Sequence, residues 1–234
     1  MRVATWNIRK ARGLDGRRDP GRVIAVLAEL GADIVALQEA DLRLGHRPAA
    51  LPRAHLEAET GLHLVELAPN PASLGSHGNA LLVRRGLTVR AAARIPLPNL
   101  EPRGAVMAEI QGPLGPVTVV GTHLGLLRSW RRRQLRAIRD HLDAAALPVT
   151  LILGDFNEWH PERGLEALRP DFSLVAPGPS FHAARPLMSL DRIAHGRAFA
   201  PLGASVQMSG HARTASDHLP VVADFALREA VRAG

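Results

Sequence analysis

Six short segments carry side chains that could do chemistry together: Asn7 in TWNIR, Glu39 in LQEAD, His123 in GTHLG, Asp155 and Asn157 in GDFN, Asp191 in LDRI, and Asp217 with His218 in SDHLP. Glu39 and Asp217 offer hard carboxylate oxygens and Asn7 a neutral amide oxygen, a set that suits Mg²⁺ or Mn²⁺ with retained waters better than zinc. A cation held there would neutralise a phosphate oxygen and the leaving oxygen. Asp155 and Asn157, two apart on a loop after a strand, can point the same way and hold an attacking water. His218 adds an imidazole or imidazolium donor, and Asp191 could hydrogen-bond that ring and fix its tautomer. Singly, each residue has a plainer reading: a Glu at a strand end is usually solvated, and Asp155 could simply form a turn. Together they interrupt apolar strands at or just beyond their ends, where α/β folds place sites.

The apolar pattern supplies those strands. Arg2 to Ile8 reads as a buried strand. Asp19 followed by Pro20 starts a helix whose stripe is Val23, Ile24, Leu27 and Leu30, and Gly31 ends it. Asp33 to Gln38 is a second strand, so the chain opens strand, helix, strand, as in a layered α/β fold. Pro48 to Thr60 suits another helix. Leu62–Leu67, Ala80–Arg84, Leu87–Ala93 and Ala105–Ile110 then read as a meander of short strands, followed by the β-branched strand Val117–Thr122. A helix from about Ser129 to Ala146 follows, with Leu135, Ile138 and Leu142 on one face and arginine on the other. Val149–Leu153, Ser189–Ile193 and Val221–Phe225 complete the strands.

The chain has 234 residues, 46% of them hydrophobic, enough for a sizeable core. No linker or internal repeat divides it, so residues 1–234 read as one domain. No apolar run approaches the roughly 18 residues of a membrane helix, and the N-terminus lacks signal-peptide regions, which predicts a soluble, cytoplasmic protein without integral membrane contact. No obligate protein partner is evident. Without Cys or Tyr, disulfides, thiolate metal sites, thiol nucleophiles and phenol-dependent mechanisms are excluded. The 29 basic and 22 acidic residues give +7, and Lys10 is the only lysine. Such an arginine-rich surface favours anionic partners, although a GC-rich genome yields the same composition. The run SWRRRQLRAIR resembles an anion-binding patch, but reads better as a solvated helix face from which Arg133 and Gln134 could turn to the sheet. A phospholipid headgroup would call for an exposed apolar or aromatic rim, for which Trp130 and Trp159 are candidates, although packing is the plainer reading of either.

TWNIR, ALQEAD, GTHLGL, LGDFNEW, LDRI and SDHLPVVADF, spanning Thr5 to Phe225, resemble the endonuclease/exonuclease/phosphatase family of DNase I-like metal-dependent hydrolases. The resemblance implies a four-layer α/β sandwich, two packed mixed β-sheets flanked by helices, with a site at one edge and divalent-metal-dependent phosphoester hydrolysis. It implies Asn7 and Glu39 in the metal shell, Asp217 beside the metal or a second one, and Asp155 and Asn157 on the attacking water. His218, paired with Asp191, would bind phosphoryl oxygens or transfer a proton, and His123 would stabilise the transition state or assist the leaving group. Asn79 in HGNALLVR and Arg103 in EPRGA lie where similar proteins have pocket residues.

Departures matter too. The apurinic-site endonuclease branch carries a Tyr-containing motif where this chain has THLGL, so that activity is demoted. VVGTHLGL and RRRQLRAI look closer to the branch of sphingomyelinases and small bacterial hydrolases. SFHAARP departs from the usual Thr-Phe-Pro, which leaves the wall around Ser180 and His182 open. The expected substrate is phosphorylated: nucleic acid, a lipid headgroup or a small metabolite, which fold analogy cannot separate. The alternative is a catalytically silent phosphate- or nucleic-acid-binding protein on the same fold.

Overall fold

The computed structural model describes residues 1–98, 100, 102–208 and 210–228. Its strands form two six-stranded mixed sheets. The first contains β1 (Arg2–Asn7), β2 (Ile34–Gln38), β3 (Leu62–Leu64), β4 (Ala80–Arg84), β11 (Phe199–Val206) and β12 (Val221–Leu227), in the order β11-β12-β1-β2-β4-β3. The second contains β5 (Thr88–Pro96), β6 (Gly104–Gly112), β7 (Gly115–His123), β8 (Thr150–Asp155), β9 (Phe172–Val175) and β10 (Asp191–Gly196), in the order β5-β6-β7-β8-β10-β9. Helices α1 (Pro20–Leu30), α2 (Arg53–Thr60) and the short α4 (Ala212–Ala215) lie with the first sheet, and α3 (Arg128–His141) with the second.

Central strands are apolar almost throughout because both faces are covered, and their two-residue period sorts the side chains into three cores. Val3, Ile34, Ala36, Val119, Leu151, Leu153 and Ile193 meet between the sheets. Ala4, Trp6, Val35 and Leu37, on the other face of the first sheet, pack against Val23, Ile24, Leu27 and Leu30 of α1. Val120, Ile152 and Ala194 pack against Leu135 and Ile138 of α3. The result is the four-layer sandwich, helix, sheet, sheet, helix, expected from the sequence. Helix α1 begins as its sequence dictates: Asp19 caps it by accepting the Arg22 N–H at 3.0 Å, Pro20 opens the first turn, and Gly31 closes it at φ 58°.

Register delivers the site. Strand β1 runs parallel to β2, and β7 parallel to β8. His123 stands beside Asp155, and Asp155 beside Asp191, on three adjacent strands. Since directly opposed residues share a face, and Leu153 and Ile193 face the inter-sheet core, these three side chains continue that core at its polar edge. Asn7 shares the inter-sheet face of β1 with Val3. Asp191 opens its strand and the Asp217–His218 pair precedes its own, but β10 and β12 run antiparallel to β8 and β1, so their beginnings lie at the same edge.

Several expectations need correction. The middle segment is not one meander: β3 and β4 join the first sheet, and only β5, β6 and β7 form a meander in the second. Helix α2 starts at Arg53, α3 stops at His141 where Leu142 turns extended, and the strand from Leu62 ends at Leu64. Strands β9 and β11 were not expected. Both are edge strands, and Pro201 and Gly203 in β11 are tolerated only because an edge carries fewer ladder bonds.

Gly154 lies against β7 so closely that an added Cβ would strike the Thr122 carbonyl oxygen. Gly154→Ala should therefore destabilise the fold by about 2 kcal/mol through overpacking, read as a lower midpoint in denaturant-induced unfolding.

Candidate active site

Asp155, the last residue of β8, is the point of convergence. It is 1% exposed, and its Oδ2 accepts the Asn7 side-chain amide at 3.1 Å from the facing sheet. His123 Nε2 lies 3.3 Å from the same oxygen and His218 Nε2 3.7 Å. Oδ1 accepts the Asn157 N–H at 2.9 Å, while the Asn157 side chain donates to the Leu124 carbonyl, so the GDFN loop is tied both to its own strand and to the end of β7. His218 Nδ1 bonds Asp191 Oδ2 at 2.8 Å, and its ring rests on Phe181 at 4.8 Å between centroids. The SFHAARP segment thus forms the wall behind His218, and the buried Ser180 hydroxyl accepts the Asp191 N–H.

The two histidines are held in opposite states. Burial alone would lower the His218 pKa, but the charges of Asp191, Asp155 and Asp217 and the Asp191 hydrogen bond outweigh it and push it up to about 9. His123 is lowered to about 3 by burial, which the attraction of Asp155 does not offset, with Arg103, His218 and Arg43 adding repulsion. An imidazolium and a neutral imidazole therefore flank one carboxylate at neutral pH.

Asp217 and His218 are fixed by ties to β1: Ser216 Oγ donates to the Asn7 carbonyl at 2.7 Å, and Trp6 Nε1 donates to the His218 carbonyl at 2.8 Å. Asp217 Oδ2 lies 3.3 Å from Arg9 Nε. Glu39 breaks the alternation of β2. A strand continued past Gln38 would send it to the helix face, but its left-handed backbone, φ 52°, turns it into a cavity of about 420 Å³. Lys10, Arg43, Arg47, Arg103 and His123 also line that cavity. The Lys10 ammonium contacts Glu39 Oε2, and an Arg43 nitrogen lies 3.9 Å from Oε1. Asn79 is buried away from the cavity lining, its amide donating to the Gly104 carbonyl at 2.9 Å.

Two oxygen-rich groups could hold a metal. Asp155, Asp191 and His218 offer ligand atoms within 4.8 Å of one another, but His218 would have to lose the proton that Asp191 and Asp155 stabilise. Glu39, Asp217 and Asn7 need no such loss. Each already has an oxygen engaged by a positive or N–H partner: Glu39 by Lys10, Asp217 by Arg9, and Asn7 Oδ1 by the Arg9 N–H at 3.1 Å. Their hard oxygens suit a divalent cation, which would have to displace Lys10 from Glu39 and Arg9 from Asp217.

The sequence did not reveal the brace beneath GDFN. Glu158, fully buried, takes Arg128 at 2.8 Å and Arg131 at 2.7 Å from α3, while Arg192 of β10 donates to the Glu158 carbonyl at 2.6 Å. One arginine of the basic run, Arg131, is thus internal, while Arg128, just before the run, reaches Glu158 from an exposed position. Gln134 does turn to the sheet side, accepting the Gly125 N–H at 2.9 Å, whereas Arg133 is exposed and stacks 5.0 Å over Trp130. Trp159, expected to pack, is 70% exposed.

An α/β sandwich with carboxylates and imidazoles gathered between the ends of its two sheets defines a class of protein, and the comparisons identify which. The endonuclease/exonuclease/phosphatase family model matches residues 4–218, and the chain belongs to that family. It is similar to an endonuclease/exonuclease/phosphatase from Beutenbergia cavernae, with 26% identity and a TM-score of 0.75 over 97% of this chain and 71% of that one. A mannosyl-6-phosphatase from Bacteroides thetaiotaomicron has the same fold at 15% identity and TM-score 0.75, covering 97% of this chain and all of that one. So has D. rerio TDP2 complexed with single-strand DNA product, at 15% identity and TM-score 0.71, covering 97% and 98%. No curated protein matches the chain. No described helix is long and apolar enough to cross a membrane.

Burial alone would raise the Glu158 pKa, but hydrogen bonds from Arg128, Arg131 and the His160 N–H hold it at about 2, below its ordinary 4.5. A carboxylate whose folded value is depressed stabilises the fold above its unfolded value, and that stabilisation is lost as pH falls toward the folded one. Glu158→Gln should cost about 3 kcal/mol at pH 7, as expected when one partner of a buried pair is removed. In urea unfolding the gap to the wild type should narrow steadily between pH 5 and pH 3.

Proposed function

We propose that this protein is a divalent-metal-dependent phosphoester hydrolase, acting as one domain. The observation that carries the reading is the convergence of Asn7, His123 and the Asp191-held His218 on Asp155 Oδ2, next to a cavity that joins Glu39 to several cationic side chains. Proteins of the same fold named for a sugar-phosphatase activity and for a DNA product support phosphoester chemistry without selecting a substrate.

In this reading Asp155 and Asn157 orient a water, and Asp155 takes its proton as its oxygen bonds to phosphorus. The ester bond on the far side breaks, and the alcohol leaves with a proton drawn from solvent. The His218 imidazolium, kept charged by Asp191, faces the charge that develops on the phosphoryl oxygens. His123 stays neutral and acts as a hydrogen-bond donor rather than an acid. Arg103 and Lys10 provide positive charge within the cavity. Glu39, Asp217 and Asn7 would hold Mg²⁺ or Mn²⁺, which when bound supplies charge neutralisation for phosphate.

The purified chain should hydrolyse a bis-aryl or mono-aryl phosphate with Mg²⁺ or Mn²⁺, and EDTA should abolish turnover. Asp155→Asn and His218→Ala should each lower kcat by about 10²–10⁴-fold with unchanged circular dichroism. Glu39→Gln should raise the metal concentration needed for half-maximal rate. Full activity in EDTA, or in both kcat variants, would overturn the reading.

A further inference from the structure

The loops around the cavity are apolar where a soluble enzyme's loops are usually polar. Eight large apolar side chains stand exposed among the described residues, and seven of them lie on loops at the edge that holds Asp155. Leu44, 85% exposed, follows β2; Leu126 and Leu127 follow β7; Trp159 follows β8; Leu100 and Leu187 precede β6 and β10, which begin at this edge. Met208 follows β11, which also ends there, and Leu202 alone lies within a strand. Leu100, Leu126, Leu127 and Trp130 line a second depression whose wall shares Arg103 with the main cavity, so this shelf and the cavity adjoin.

Charge of one sign marks three of these loops: segments 42–52, 124–130 and 176–190 contain Arg43, Arg47, Arg128 and Arg185 and not one Asp or Glu, although Arg128 is paired with Glu158, and the loop of Trp159 carries Glu158, Glu162 and Glu166 beside its arginines. A protein–protein interface has an apolar centre inside a polar rim. Here the order is inverted, with a polar, cationic cavity at the centre and separate apolar side chains around it. A bilayer surface has the matching chemistry: anionic headgroups that meet arginine and enter a polar cavity, above acyl chains that accept leucine and tryptophan. By contrast, the arginines of α3 that could form a nucleic-acid track are mostly matched by acids: Arg128 and Arg131 by Glu158, Arg132 by Glu166, and Arg139 by Asp171.

We propose that this rim seats the protein on an anionic phospholipid surface, with the phosphate of a lipid headgroup presented to the cavity. The choice of headgroup as substrate rests on the hydrolase reading above; the docking does not.

The test is flotation of the full chain with vesicles of phosphatidylcholine alone or with about 30% phosphatidylglycerol. Binding should favour the anionic vesicles and weaken with salt. Leu126→Ser/Leu127→Ser/Trp159→Ser should reduce the affinity about tenfold or more, and Leu44→Ser/Leu187→Ser, on other loops of the rim, should act in the same direction. Leu202→Ser should bind as the wild type does. Failure of the wild type to bind anionic vesicles, or equal loss with Leu202→Ser, overturns the proposal. So does a dimer, seen by light scattering, that the rim variants dissociate, because the rim would then be covered by a second copy. Vesicle binding by a chain inert toward every phosphoester would uphold the docking and remove the hydrolase reading; hydrolysis of a bis-aryl phosphate by a chain that ignores vesicles would do the reverse.

Discussion

The hydrogen bond from Asn7 to Asp155 joins two sheets that are separate backbone ladders, and it does so in a nearly dry place. Everything around it follows from having put carboxylates there. Asp155 and Asp191 end the inter-sheet core, and buried carboxylates are tolerated only with charge-assisted partners. His218 meets that need by remaining an imidazolium, and Asn7, Asn157 and His123 surround what is left of Asp155. The catalytic reading and the stability requirement therefore rest on the same contacts. An arrangement that surrounds a carboxylate with aligned donors is also one prepared for charge that develops on a substrate.

Holding Asp155 at that position needs a rigid loop after β8, and the rigidity comes from Glu158. Its carboxylate ties the loop to α3 through Arg128 and Arg131, and Arg192 gathers the carbonyls of Glu158, His160 and Ser189 from the neighbouring strand. Arg192 stands next to Asp191, and Glu158 next to Asn157. Two site residues, Asp191 and Asn157, are thus followed in sequence by a group of the brace. Arg131 of this basic helix is internal scaffolding, and Arg128, Arg132 and Arg139 are paired with acids, which reduces the charge available to bind a polyanion along α3.

Much of this was legible in the sequence because strand ends are marked twice, by an apolar run and by the polar residue that stops it. The layered α/β class, the opening strand–helix–strand unit and the convergence of Asn7, His123, Asp155, Asp191 and His218 could be reached that way, whereas the two-sheet sandwich came from the resemblance of the motifs to a known family. Edge strands could not, since β11 carries Pro201 and Gly203 and buries little of its length. Nor could the Glu158 brace, whose arginine partners lie 27 to 34 positions away and share no periodicity with it. Lys10 gave a weak signal as the only lysine, placed directly after TWNIR, but its contact with Glu39 depends on two loops meeting.

Backbone conformation adds a constraint that side-chain pattern conceals. The non-glycine residues with left-handed backbones are Arg9, Lys10, Ala11, Glu39, Arg47, His77 and Asn157, with φ between 47° and 58° among the described residues. All lie on loops at the Asp155 edge: after β1, after β2, before β4 and after β8. Such conformations cost of order 1 kcal/mol or more each and persist only where the surroundings over-determine them. Here the surroundings are the packed strand ends, and the conformations turn Glu39, Lys10, Arg47 and His77 toward one cavity. A regular continuation of each strand would have relieved the strain and sent Glu39 to the helix side, leaving the arginine loops without the carboxylate that draws them in. The strained turns are therefore the step that converts an ordinary α/β sandwich edge into a cation-gathering cavity beside Asp155.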